Sequence, residues 1–259
     1  MRKKIIAANW KMNLTHAEAM TLTDALIDER VDVSLSEIIL AAPFVYLHDL
    51  VRRIQSQPSF SIAAQNCSSE EKGAFTGEVS ARMLVSIGTE FVIIGHSERR
   101  TLFGENDEII SKKLKIALAS GLIPVFCCGE NLLQRQANNH FMIIEEQLNN
   151  GFFTLDSSLA CKCIIAYEPV WAIGTGVTAT TEQAQEMHAF IRNKISEKYA
   201  PSIADLMPIL YGGSVTSKNS IELFSCSDVD GGLVGGASLK ATEFLSIVAS
   251  MNSLHKIKN

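Results

Sequence analysis

Cys163-Ile164-Ile165-Ala166-Tyr167-Glu168-Pro169-Val170-Trp171-Ala172-Ile173-Gly174-Thr175-Gly176, followed shortly by Thr181–Tyr199, is the most informative stretch of the chain. Its first five residues are apolar at every position, as a strand covered on both faces must be. In Thr181–Tyr199 the residues Ala184, Met187, His188, Ile191 and Ile195 fall on one face of a helix. Thr180 and Gln183 have the spacing of a capping box at its start. The stretch therefore reads as one strand, one loop and one amphipathic helix.

The same unit recurs along the whole chain. Strand-like runs are Lys4–Asn9, Ile38–Ala42, Phe60–Gln65, Phe91–Gly95, Ile123–Cys128, Cys163–Tyr167, Met207–Tyr211 and Gly232–Val234. Helical patterns lie between them. Thr15 with Glu18 suggests a second capping box, Asn106 a further N-cap, and Gly121 the end of the helix that Asn106 opens. Strict alternation of strand and helix implies a parallel sheet. Eight strands and eight helical segments in 259 residues imply a closed (β/α)8 barrel, a single domain over residues 1–259. An open, doubly wound sheet would be expected to carry a G-x-G-x-x-G turn after its first strand. Here that strand runs into Asn9-Trp10-Lys11, which disfavours the open form.

Composition limits the partners. Hydrophobic residues make up 47% of the chain and charged residues 20%, with a net charge of −5. The longest basic run is Arg2-Lys3-Lys4, so neither nucleic acid nor an anionic membrane is an expected partner. The early apolar stretch Ile5-Ile6-Ala7-Ala8 is shorter than the about 7–15 residues of a signal sequence, and no run approaches the ~20 of a membrane span. A cytoplasmic protein is the expectation. Cys67, Cys127, Cys128, Cys161, Cys163 and Cys226 lack the paired spacing of a metal knuckle. Reduced core thiols, with no disulfide framework and no bound metal, are expected.

In a (β/α)8 barrel, chemistry sits where strands end and helices begin. Those ends carry Asn9 and Lys11, then His96, Ser97 and Glu98, then Glu168, then Gly212-Gly213-Ser214, and last Gly235-Gly236. Glu168 is either a partner for a helix cation or a catalytic base. The apolar loop after it, with Pro169 at one end and Gly174 and Gly176 at the other, has the makings of a hinged lid. A carboxylate under such a lid should have a raised pKa. His96 is either a satisfied core histidine or, at the mouth of a short helix whose dipole disfavours the cation, a neutral imidazole donor. Lys11 is either a solvated lysine or an electrophile beside Asn9. Arg99 and Arg100 read as salt-bridged. The paired glycines after the last two strands suit backbone binding of a phosphate, with no cofactor required. The long connection Asn66–Thr76 is either a mobile surface loop or a docking element for a second subunit.

At these positions the chain resembles the triosephosphate isomerase family. The matching stretches are Ala8–Asn13, Gln65-Asn66 with Lys72–Glu78, Gly95–Arg100, Ala166–Gly176, Tyr211–Val215 and Asp230–Leu239. They span nearly the whole chain. The resemblance implies a TIM barrel that interconverts dihydroxyacetone phosphate and D-glyceraldehyde 3-phosphate in glycolysis and gluconeogenesis. It implies Glu168 as base, His96 as proton shuttle, and Lys11 and Asn9 as charge stabilisers and substrate ligands. Glu98 would support them. Gly174, Ser214, Gly235 and Gly236 would bind the phosphate, and Thr76 would enter a second subunit to make a homodimer. Three features depart from the family pattern. Val177 stands where a lysine usually ends the lid, Thr181 where proline is common, and amides partly replace acidic residues near Asn131–Gln136. Two rival functions remain: an aldolase or lyase using Lys11 as a Schiff-base residue, or a catalytically silent homologue. The intact set of Asn9, Lys11, His96 and Glu168 argues against the second.

Overall fold

The computed structural model describes residues 2–28, 36–174 and 178–257, and side chains as far as residue 254. Eight strands run in sequence order: β1 (Ile5–Asn9), β2 (Glu37–Ala42), β3 (Phe60–Ala64), β4 (Phe91–Ile94), β5 (Ile123–Cys128), β6 (Ile164–Tyr167), β7 (Ile209–Tyr211) and β8 (Gly231–Val234). Each pairs with the next in parallel, and β1 pairs with β8, with Ile5 opposite Gly231, which closes the barrel. Every expected strand is present, and most boundaries move by one or two residues.

Period-2 alternation divides the strand residues into two cores. Ile5, Ala7, Ile39, Ala41, Ala63, Phe91, Ile93, Val125, Cys127, Ile164, Ala166, Leu210 and Leu233 form one buried cluster, the filled interior. The residues between them, such as Ile6, Ala8, Ile38, Leu40, Val92, Phe126 and Ile165, join the second cluster with the helices. This is why the strands show no polar face: both of their faces are dry.

Twelve α-helices occur among the described residues, against eight helical segments expected. The surplus comes from short pieces such as Ser97–Leu102, Leu132–Gln136 and Pro201–Ala204. One turn is too short for a 3.6-residue period to show in a sequence. The long helix Thr181–Lys198 buries Ala184, Met187, His188, Ile191 and Ile195, as its pattern predicts, and Arg192 besides. Its capping box is complete: Thr180 Oγ1 accepts from Gln183 N–H and Gln183 accepts from Thr180 N–H. Asn106 caps Asp107–Ser120, and Gly121 ends that helix at φ 94°. The expected box at Thr15 is only half formed. Glu18 accepts from Thr15 N–H, but the Thr15 hydroxyl also donates to Glu18 and no contact returns to the helix.

None of the six cysteines is joined to another, and Cys161 is the exposed one. Among the described residues no helix is long and apolar enough to cross a membrane.

Candidate active site

Glu168 follows β6 directly, and alternation from Ile164 and Ala166 directs it into the mouth of the barrel. It is buried, at 1% exposure. Its Oε2 accepts from Ser97 N–H at 2.8 Å. Its Oε1 lies 3.0 Å from His96 Nε2 without making an aligned hydrogen bond. Alternation along β4 would send Gly95 inward and His96 out. Gly95 sits at φ 77°, which breaks the alternation and brings His96 onto the rim. His96 then caps the helix Ser97–Leu102, with Nδ1 accepting from Glu98 N–H at 3.2 Å. A ring nitrogen that accepts an N–H carries no proton, so this contact favours the neutral ring protonated at Nε2.

Lys11 occupies the left-handed region at φ 53°, an uncommon conformation for a side-chain-bearing residue. It is held there from two sides. Its N–H donates to Asn9 Oδ1 at 3.1 Å, and its carbonyl accepts from Gln65 Nε2 at 3.0 Å. The ammonium reaches Glu98 Oε1 at 2.6 Å. Glu98 therefore touches Lys11 directly as well as its own short helix. Arg99 and Arg100 are ion-paired, to Glu105 at 2.5 Å and Asp107 at 2.6 Å.

The charge balance at Glu168 corrects the sequence expectation. Burial alone would raise its pKa, but the His96 ring, the Ser97 N–H and Lys11 outweigh burial and hold it below the usual value. His96 is the mirror case. Burial disfavours its cation, yet the Glu168 carboxylate and then Glu98 carry its pKa above the ordinary value. The helix-terminus argument for a depressed histidine thus loses to the adjacent carboxylate while Glu168 rests against the ring. Of the described lid residues, Ala172 is buried, Val170, Trp171 and Ile173 are half-buried, and Gly174 is exposed.

A cavity of about 280 Å3 opens at this rim, lined by Asn9, Lys11, His96, Glu168, Gly174, Ser214, Gly235 and Gly236 together with Ile173 and Leu233. Every expected catalytic and phosphate-binding residue borders it. Around Gly236 there is open space, as a ligand contact needs. Gly212 has a different cause from its neighbours: a Cβ there would sit 2.9 Å from Glu168 Cγ. Among the described lid residues, Val170–Ala172 forms a 3-10 turn, and Trp171 Nε1 donates to Glu130 Oε1 at 2.9 Å. Glu130 is fully buried, and that burial raises its pKa against the hydrogen bonds from Trp171 and Tyr167. Thr76 lies apart from this cavity on an exposed loop. Among the described residues no cluster of His, Cys, Asp or Glu has the form of a metal site.

The triosephosphate isomerase family model matches residues 4–251. The chain belongs to that family. A triosephosphate isomerase of Porphyromonas gingivalis is 49% identical over 249 residues, covering 96% of this chain and 99% of that protein. One from Cytophaga hutchinsonii is 48% identical, covering 96% of this chain and all of the relative. One from Flavobacterium psychrophilum is 50% identical, covering 96% of this chain and 99% of the relative.

The three departures from the family pattern have different outcomes. Val177 lies outside the described residues. Thr181 is the first residue of its helix, the position where proline is tolerated best. The amides near Asn131 act locally, since Asn131 and Gln134 form a reciprocal capping box on Leu132–Gln136. Sequence reasoning placed Ser97 at the end of its strand but gave it no role, because its contribution is a backbone N–H that leaves no trace in side-chain identity. Gln65, which holds Lys11, was visible only as part of a motif. Glu130 beneath Trp171 follows the end of β5, and that position could have flagged it.

Proposed function

We infer that this protein is an isomerase interconverting dihydroxyacetone phosphate and D-glyceraldehyde 3-phosphate, a step of glycolysis and gluconeogenesis. The observation that carries the assignment of roles is the convergence of Glu168, His96, Lys11 and Asn9 on one cavity whose far side is made of Ser214, Gly235 and Gly236. Glu168 removes a proton from the carbon beside the carbonyl, and an enediolate forms. His96, donating from Nε2, moves protons between the two substrate oxygens. Lys11 and the Asn9 amide offset the negative charge that develops there. Glu98 holds the Lys11 ammonium and orients His96 through its N–H. The backbone at Gly174, Ser214, Gly235 and Gly236 receives the phosphate, and binding of that nonreacting group supports closure of the lid.

Glu168 rests on Ser97 N–H and against His96, so a substrate must part the carboxylate from the ring before either acts. Parting them also removes the larger of the two influences that raise the His96 pKa, leaving that of the Glu98 carboxylate, while the Glu98 N–H favours the neutral ring. The chemistry needs no cofactor. The assignment predicts rapid turnover in a coupled isomerase assay and a loss of several orders of magnitude in kcat for Glu168→Gln with the fold retained. Full activity in that variant would overturn the base assignment. An aldolase route through Lys11 would instead give a borohydride-trapped adduct.

The whole chain acts as one domain, in the cytoplasm, and as a homodimer. Support for the dimer comes from a second cavity of about 370 Å3 beside the first, bordered by Met12, Phe44, Phe103, Gln65 and Glu98. Met12 and Phe103 are exposed there, at 94% and 66%. The exposed loop around Thr76 is of a form to fill such a cavity on another copy.

A further inference from the structure

Gly129 leaves β5 beside the catalytic carboxylate, and, by the alternation of a parallel ladder, its two backbone groups face away from the β6 end. On either side the chain is bonded to the β6 end: Glu168 N–H donates to the Cys128 carbonyl at 2.8 Å, and Val170 N–H to the Glu130 carbonyl at 3.0 Å. Between these rungs, both backbone groups of Gly129 turn to one side chain. Its N–H donates to Gln147 Oε1 at 2.9 Å, and its carbonyl accepts from Gln147 Nε2 at 2.9 Å. The amide thus does for Gly129 what a neighbouring strand would do.

Gly129 in turn presses on Glu168. A Cβ at position 129 would fall 1.8 Å from the Glu168 carbonyl oxygen, 2.8 Å from its carbonyl carbon and 3.1 Å from its Cβ. The two backbones thus leave no room for a side chain at 129, and a displacement of Gly129 towards β6 would bear on the Glu168 main chain. Gln147 is itself unusually placed. It is the last residue of the helix His140–Gln147, and the chain passes at once into a π-turn, Leu148–Phe152. Such turns recur at functional sites. The Gln147 side chain borders a cavity of about 150 Å3 on the same side of Glu168, where Arg100 and Glu168 are the charged neighbours. Arg100 holds the preceding stretch of the same segment, donating to the Cys127 carbonyl at 3.2 Å.

We propose that Gln147 is a positioning residue for the base: by clamping both backbone groups of Gly129, it holds that residue against Glu168 and sets where the carboxylate stands. The inference rests on Glu168 being the base. A purely structural Gln147 would satisfy two backbone groups and contribute to stability, but its loss would leave turnover per folded molecule unchanged. A positioning Gln147 acts on kcat and leaves KM alone.

Gln147→Leu keeps the approximate size and removes both bonds. The expected result is a fall in kcat of about tenfold or more, with KM within about twofold, because small misplacements of a reacting group cost heavily. Wild-type kcat in folded Gln147→Leu overturns the proposal. Gln147→Glu decides the matter if the leucine variant does not fold. Its ionised carboxylate accepts from Gly129 N–H but repels the carbonyl; once protonated, it can accept from one and donate to the other, restoring both bonds. The ratio of its kcat to that of wild type should rise several-fold as pH falls from about 8 to about 5.5, since a carboxyl facing a carbonyl titrates above its usual range. A ratio that stays flat across that interval overturns the proposal. Glu168→Gln run alongside separates the two ideas: an active Glu168→Gln removes the base assignment, whereas an inactive one with fully active Gln147 variants removes only the positioning role.

Discussion

Glu168 fits its place because two neighbours have no side chain, and the two differ in what a methyl group would do. At Gly129 an added Cβ meets the Glu168 carbonyl oxygen at 1.8 Å, a backbone atom that cannot move without displacing β6. At Gly212 it meets Glu168 Cγ at 2.9 Å and the Tyr167 carbonyl oxygen at 3.1 Å. The first atom belongs to a rotatable side chain, so shifting that side chain relieves the closest approach, while the Tyr167 carbonyl has to give by only a few tenths of an ångström. Gly212→Ala is therefore expected to fold, with a melting temperature a few degrees lower, and to lose roughly tenfold to a hundredfold in kcat through displacement of the base. Wild-type kcat in that variant would show that the carboxylate has slack. In the sequence Gly212 looked like half of a phosphate-binding pair, because a glycine records only that something is close, not what. Asn9, Lys11, His96 and Glu168 were legible because strand parity and strand ends determine where such side chains go. The net pKa directions of Glu168 and His96 were not, since they depend on a 3.0 Å contact between residues 72 positions apart.

Elements explain why the fold was readable and where it was not. The eight strands stood out because both of their faces are buried, and the long helices because their buried positions repeat. One-turn helices such as Leu132–Gln136 carry no period, and only capping residues announce them. The helix Thr181–Lys198 follows the lid and starts at a complete capping box, with Thr180 Oγ1 accepting from Gln183 N–H at 3.2 Å and Gln183 Oε1 accepting from Thr180 N–H at 3.0 Å. Replacing an N-cap threonine by alanine typically costs about 1 kcal/mol. Thr180→Ala should lower the unfolding free energy by about that amount in a denaturant titration, while Thr180→Ser, which keeps the acceptor, should be close to neutral. Equal losses in the two variants would mean that the methyl group, not the cap, supports the helix.

Across the molecule, the barrel and its helices form two dry layers, and His188 lies where they meet. It is fully buried on Thr181–Lys198 between the rings of Tyr167 and Tyr211, with centroids at 5.8 and 6.3 Å. Its Nδ1 is 3.2 Å from the Asp228 carbonyl oxygen, which assigns the proton to that nitrogen, and Nε2 has no partner among the described residues. Protonation would put a charge on Nε2 inside the core. Burial accordingly pushes the pKa down to about 4, against partial opposition from Asp228 and Asp230. In the unfolded chain the same ring titrates near 6.5. Between these values the unfolded state binds a proton that the folded state refuses, so folding stability must fall as the solution is acidified through this window. The loss approaches about 3 kcal/mol by pH 4, with a slope of at most about 1.4 kcal/mol per pH unit. His188→Gln removes the titrating group, so it should be less stable than wild type at pH 7.5 and should narrow the gap steadily towards pH 4.5. Urea unfolding of both proteins across that range measures the gap. A gap that stays constant would mean that the buried imidazole takes up its proton as readily in the folded protein as in the unfolded chain.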